Sequence, residues 1–193
     1  MKDINEQKRI HAIYHRVSCR AFDDRQIPQH IIEEIITAGT MAPASGNMQP
    51  WEFIVVDHKD MKEKISDHTF SGFYSKGADS QLWIRHAPII MIPCVNFKRT
   101  VARYGDLGYE WAVIDTTSAV QNMLLAATEL GVASCWVGGF IEKGVRQLLE
   151  LPSYVKPLGL IPMGYPAERT EHKQKIDAKW ITHSNVYNKP YFT

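Results

Sequence analysis

The apolar positions of this chain fall into helical and strand-like stretches that alternate along its length. Ile31, Ile32, Ile35, Ile36 and Ala38 recur at helical spacing. They predict a helix from about Pro28 to Ala38, with Pro28 in the first turn and Gly39 as its stop. "WEFIVV" (51–56) and "APIIMIPCVN" (87–96) are continuous apolar runs of strand length. Between them, "HKDMKEKISDHTF" reads as a charged amphipathic helix, and residues 69–86 are turn-rich enough to suggest a functional loop or lid. From about Gly108 to Leu130 the apolar residues go most of the way round a helix, which places it at the centre of the core, with Gly131 as its C-terminal cap. "VASCWVGGF" predicts a short strand ending at a glycine pair, "IEKGVRQLLELP" a helix stopped before Pro152, and "KPLGLIPMGYP" a third buried strand. Residues 4–15 predict an N-terminal helix. Strands and helices mix without strict βαβ alternation, so the class is α+β, a single domain over 1–193. The tail, 167–193, is basic, aromatic and irregular. It carries too little core of its own and is expected to pack on a partner subunit.

Composition narrows the function. The chain has 193 residues, 45% hydrophobic and 22% charged, with a formal net charge of +1. That balance gives no reason to expect nucleic acid or a membrane surface as partner. No apolar run reaches the length of a membrane span, and the charged start lacks the apolar centre of a signal peptide, so a cytoplasmic protein is expected. Cys19, Cys94 and Cys135 are far apart, odd in number and without a CxxC, which reads as three reduced thiols. The histidines are scattered without metal-ligand spacing, so no metal is expected. There is no GxGxxG after a strand, no Walker-type phosphate loop, no HExxH and no GxSxG.

Three stretches are left to carry chemistry. In "HRVSCRAF", Arg16, Ser18 and Arg20 alternate, so an extended segment would point all three one way. Two guanidinium groups and a hydroxyl suit a phosphate or another anion, unless the arginines pair with Asp23 or Asp24 at a solvated turn. In "APASGNMQPW", Ser45, Asn47 and Gln49 also alternate around Gly46. Their amides suit the mixed donor and acceptor edge of a planar heterocycle, or else cap the loop's own backbone. In "SCWVGGF", Gly138 and Gly139 offer backbone N–H groups at a point of close approach, or simply a tight turn. The tail adds Lys173 and Lys175, again alternating. A phosphorylated planar cofactor would use all four features.

These motifs resemble the nitroreductase family of FMN-dependent oxidoreductases. "RVSCRAF" is similar to its Arg-x-Ser-x-Arg/Lys-x-Phe motif, and "APASGNMQPWEFIVV" to its Pro-Ser-Ser-x-Asn-x-Gln-Pro-Trp-x-Phe motif, with Ala44 where Ser is common. "DTTSAVQNMLLAATELGVASCWVGGF" resembles its central helix and glycine turn, and "LIPMGYPAE" its Gly-Tyr-Pro turn. The resemblance covers nearly the whole chain in order. It implies a central mixed sheet flanked by helices, an intertwined homodimer with C-terminal tail exchange, and FMN bound at the interface by both subunits. NADH or NADPH would be the reductant, and a small electron-poor molecule such as a nitroaromatic or quinone the acceptor, by ping-pong kinetics. Carried over position by position, Arg16 and Ser18 hold the phosphate and ribityl end, and Arg20 lies near N1 and O2 of the ring. Val137, Gly138 and Gly139 approach the ring near N5, and Val17 lies along the same strand-like motif. Lys175, where many members have Arg, and Lys173 join the phosphate. Ser45, Gly46, Asn47 and Gln49 reach the flavin across the interface. Phe70, Phe73, Tyr74 and Trp83 are candidate substrate walls or core residues, and residues 97–107 offer a second wall. No side chain is needed as a general base. Other readings on the same scaffold are a dehalogenase, an enoate-type reductase, or a flavin-binding sensor with little turnover.

Overall fold

The computed structural model describes residues 10–72 and 79–192. Strand β2 (Ile89–Asn96) is its axis, buried from Ile89 to Val95. It pairs antiparallel with β1 (Trp51–Val56), Ile54 opposite Ile92. On its other side it pairs with β5 (Ile161–Gly164) through Ile89–Met91 and with β4 (Val155–Pro157) through Cys94–Asn96. The two-residue β3 (Ala133–Ser134) closes the sheet on β5. The α+β class is as expected, but the sheet is antiparallel where a mixed one was expected. Among the described residues the parallel contact is an isolated bridge from Ser18 to Ser134, because the N-terminal segment contributes a single residue rather than a strand.

The expected strand over Lys156–Pro166 is broken into β4 and β5. Leu158 donates its N–H to Pro93, but Leu160 exchanges bonds in both directions with Val137, so the chain changes partner in the middle. Local hydropathy cannot register that switch.

Alternation along β2 builds two apolar layers. Ile89 and Met91 face α2 (Gln29–Thr40) and α5 (Leu107–Glu129), packing with Ile35, Val120 and Met123. Ile90, Ile92 and Cys94 face the other way, onto Ile65 of α3 (Lys59–Asp67) and Val145 of α6 (Glu142–Leu148). Each fully buried aliphatic side chain here contributes about 1.5–3 kcal/mol. Helix α2 does not stop at Gly39 but runs to Thr40, since the bare Gly39 backbone lets Met123 of α5 pack against it. The N-terminal helix, α1, covers His11–His15 and begins after an extended Ile10, so it is shorter than expected there; residues 4–9 lie outside the described residues.

Helix α4 (Phe97–Tyr104) follows β2 directly and lies against the start of α5. The contact is backbone on backbone at Gly108, where an added Cβ would stand 2.8 Å from the Thr100 and Val101 main chain. Gly108→Ala would gain up to about 1 kcal/mol of helix propensity but push two backbones apart at a cost of about 1–3 kcal/mol. Net destabilisation in a denaturant titration is the expected result.

Candidate functional site

The N-terminal segment after α1 hydrogen-bonds into the end of the sheet, with Cys19 N–H donating to the Ser134 carbonyl at 3.0 Å. This sets Arg16, Val17, Ser18 and Arg20 along one wall of a cavity of about 170 Å³. The opposite wall is the tail, with Thr170, Glu171, His172, Lys173 and Lys175. Two widely separated basic stretches therefore meet. Asp23 is taken by Arg25, which reaches it at 2.6 Å and holds its carboxyl below the usual carboxylate range by hydrogen bonding. Among the described residues, Arg16, Arg20, Lys173 and Lys175 make no salt bridge. Four cations and one carboxylate, Glu171, line the cavity, and that excess of positive charge suits an anion such as a phosphate.

The glycine turn is held from residues 70 and 81. Phe70 N–H donates to the Gly139 carbonyl at 2.9 Å, and Gln81 Nε2 spans the Phe70 and Gly139 carbonyls at 2.7 and 3.4 Å. Gly138 is exposed, with open space where a Cβ would be. Val137 is buried in the core, and its backbone N–H and carbonyl are both bonded to Leu160, so it has no spare donor. The Arg20 guanidinium lies 5.9 Å from the Trp83 ring centroid, and Trp83 is half-buried against the second apolar layer. Trp83 packs on the core through one side and meets Arg20 with its ring. Phe73 and Tyr74 lie outside the described residues.

The amide loop sits elsewhere. It is a loop, as expected, built on a short 3-10 turn, Ser45–Asn47. Gly46, Asn47 and Gln49 have φ of +53°, +58° and +47°, so Ser45, Asn47 and Gln49 do not share a face. Ser45 turns inward, its N–H and Oγ donating to Asp115 of α5 at 2.9 and 3.1 Å. Asn47 and Gln49 are exposed. From α4, Arg99 Nη1 donates to the Gln49 carbonyl at 2.6 Å and Arg103 Nη1 to the Gly46 carbonyl at 3.3 Å. Asp115, Arg99 and Arg103 were missed from sequence. A lone carboxylate within "WAVIDTTSAVQNMLLAAT" was the available signal, since a charge in an apolar helix needs a partner.

The cavity and the loop are held at different places on one helix. Asp115 lies in the first half of α5, while Ser134, against which Ser18 packs, follows its C-terminal end. A rise of about 1.5 Å per residue puts these places about 20 Å apart. One chain does not bring them together.

The three thiols are buried. Burial pushes Cys94 up to about 12. It also raises Cys135, against the opposing pull of nearby Arg20. Among the described residues no cluster of histidine, cysteine and carboxylate side chains could hold a metal ion, and no helix is long and apolar enough to cross a membrane.

The model of the nitroreductase family matches residues 13–165. A relative from Methanothermobacter thermautotrophicus, provisionally named an NADH dehydrogenase/NAD(P)H nitroreductase, is 32% identical, covering 87% of this chain and 82% of its own. The FMN reductase [NAD(P)H] of Bacillus subtilis is 30% identical, covering 88% and 70%. A crystal structure of a nitroreductase family protein from Clostridium difficile superposes with a TM-score of 0.77 at 27% identity, covering 92% and 98%. The family match ends before the tail; Lys173 and Lys175 stand beside Arg16 and Arg20 in the cavity lining.

A protonated, buried thiol is a poor nucleophile. Native protein at pH 8 should therefore react with less than about one equivalent of a disulfide reagent such as DTNB within minutes, and with all three thiols after unfolding in guanidinium.

Proposed function

The chain belongs to the nitroreductase family, and from that premise we propose that it is an FMN-dependent oxidoreductase that carries hydride from NAD(P)H to electron-poor acceptors such as nitroaromatics or quinones. The observation that supports this most is the cavity lined by Arg16, Arg20, Lys173 and Lys175, with Arg20 also facing the Trp83 ring. The donor set fits the cofactor: cations for a phosphate, exposed amides for the mixed edge of a flavin ring, and Gly138 backbone open to a planar face.

Bound FMN would supply the redox chemistry, the passage of a hydride equivalent from a nicotinamide to the acceptor. The chain binds and tunes it. Arg16, Lys173 and Lys175 hold the phosphate, Lys as a point charge without the bidentate fork of Arg. Ser18 adds a hydroxyl toward the ribityl chain, and Val17 the backbone between. Arg20, stacked beside Trp83, favours negative charge at the pyrimidine side of the ring. Gly138 and Gly139 offer backbone N–H groups near N5. Phe70 and Trp83 line the space where NAD(P)H and the acceptor take turns, which gives ping-pong kinetics.

Asn47 and Gln49 belong to this site through a second copy of the chain. About 20 Å of α5 separates them from the cavity of their own chain, so a homodimer that apposes the two halves completes each site. The tail favours the same assembly: Ile176, Trp180, Ile181, Val186, Tyr187 and Tyr191 are each more than 60% exposed in the single chain. An apolar surface of that kind marks an interface. Tail exchange between subunits would cover it.

Purified protein should take up one FMN per chain, turn yellow, and bleach on anaerobic addition of NADH or NADPH. A colourless protein that refuses added FMN would overturn the proposal. Arg16→Ala should weaken FMN binding by about 1.5–3 kcal/mol, as for loss of a charged hydrogen bond, while leaving the thermal unfolding of the apoprotein near wild type.

A further inference from the structure

We propose that Asp115 is a positioning residue, which fixes the left-handed Ser45–Gln49 loop from inside α5 so that the Asn47 and Gln49 amides are presented outward. The inference rests on the FMN reading of the site. Asp115 is 5% exposed and, among the described residues, has no cationic partner. Burying an unpaired carboxylate is costly. Its bonds here go to a single residue, Oδ2 taking the Ser45 N–H and Oδ1 the Ser45 hydroxyl.

Ser45 is the entry to a segment that an L-residue chain resists. Asn47 and Gln49 have positive φ, which non-glycine residues keep only when their surroundings over-determine it. Gly46, between Ser45 and Asn47, has φ +53°, and a Cβ there would have to displace the Tyr104 hydroxyl and the Arg103 guanidinium. The loop is pinned at entry by Asp115, in the middle by Arg103 and at exit by Arg99. These anchors use backbone groups and the Ser45 hydroxyl. Among the described residues they leave the Asn47 side chain unspent, and Gln49 reaches the Asn47 carbonyl alone, at 3.3 Å. Strain held by a buried charge thus converts a turn into a fixed pair of amides. Ser45 is thereby an anchor for the loop, and the amides alone read the cofactor.

The test compares Asp115→Ala, Asp115→Asn and Ser45→Ala with wild type in two readouts: amide hydrogen exchange across 44–50 in the apoprotein, and FMN affinity from flavin fluorescence. D115A should lose protection at the Ser45 amide and raise the FMN Kd by about tenfold or more. D115N keeps the shape and an acceptor for the Ser45 N–H, and should stay within about threefold of wild type. In a double-mutant cycle, D115A should add little to the loss already caused by N47A/Q49A, because it acts through those amides, but should multiply with R16A. A D115A protein with wild-type Kd, or one whose penalty multiplies in full with N47A/Q49A, would overturn the inference. If D115A does not fold, S45A, which removes one of the two donors, carries the same comparison. A wild-type protein that binds no FMN would instead overturn the cofactor reading. Unchanged exchange at Ser45 in D115A would refute the loop anchor independently of any cofactor.

Discussion

Between the Asp115 carboxylate and the C-terminal end of α5 runs about 20 Å of unbroken helix. The amide loop is tied to the first place, and the cationic cavity is assembled next to the second. Neither can move toward the other without unpacking the core, because Val120 and Met123 lie between them, buried against α2 and β2. A site that needs both the amides and the cations therefore needs two chains. The exposed aromatic tail, the antiparallel sheet with its short β3 edge and the close packing of α4 on α5 all fit around that single separation.

Electrostatics give the cavity its selectivity. Surface arginines and lysines usually find carboxylates, and such exposed pairs contribute little. Here several carboxylates are engaged elsewhere, Asp23 by Arg25, Glu52 by Arg99 and Glu142 by Arg146 and Lys156, and Glu171 alone among the described acidic residues lines the cavity with its four cations. The cations that face the cavity keep their charge for a ligand. The Cys135 thiol nearby stays protonated through burial despite Arg20, so the chemistry of the site is left to what it binds.

Much of this was legible in the sequence, for physical reasons that differ between elements. The run Ile89–Val95 and the span of α5 are dominated by burial, and burial shows directly in hydropathy. The alternation of Arg16, Ser18 and Arg20 was informative because that segment is extended. The same alternation in Ser45, Asn47 and Gln49 gives no shared face, because positive φ at Gly46, Asn47 and Gln49 is imposed by contacts with α4 and α5, which no local pattern encodes. The break between β4 and β5 was hidden likewise, since it depends on Leu160 changing partner to Val137. Gly39 carries the lesson in small: a stop signal by propensity, it is a packing site by tertiary contact.

Mixed dimers test the central separation most directly. One chain carries R16A and the other N47A/Q49A, with different affinity tags so that only the heterodimer is purified. If each site is shared, one site combines the intact cavity of one chain with the intact loop of the other, and the second site has both halves damaged. FMN titration should then show one wild-type site per dimer. Two equally weakened sites, or monomeric chains that bind FMN at full affinity, would contradict it.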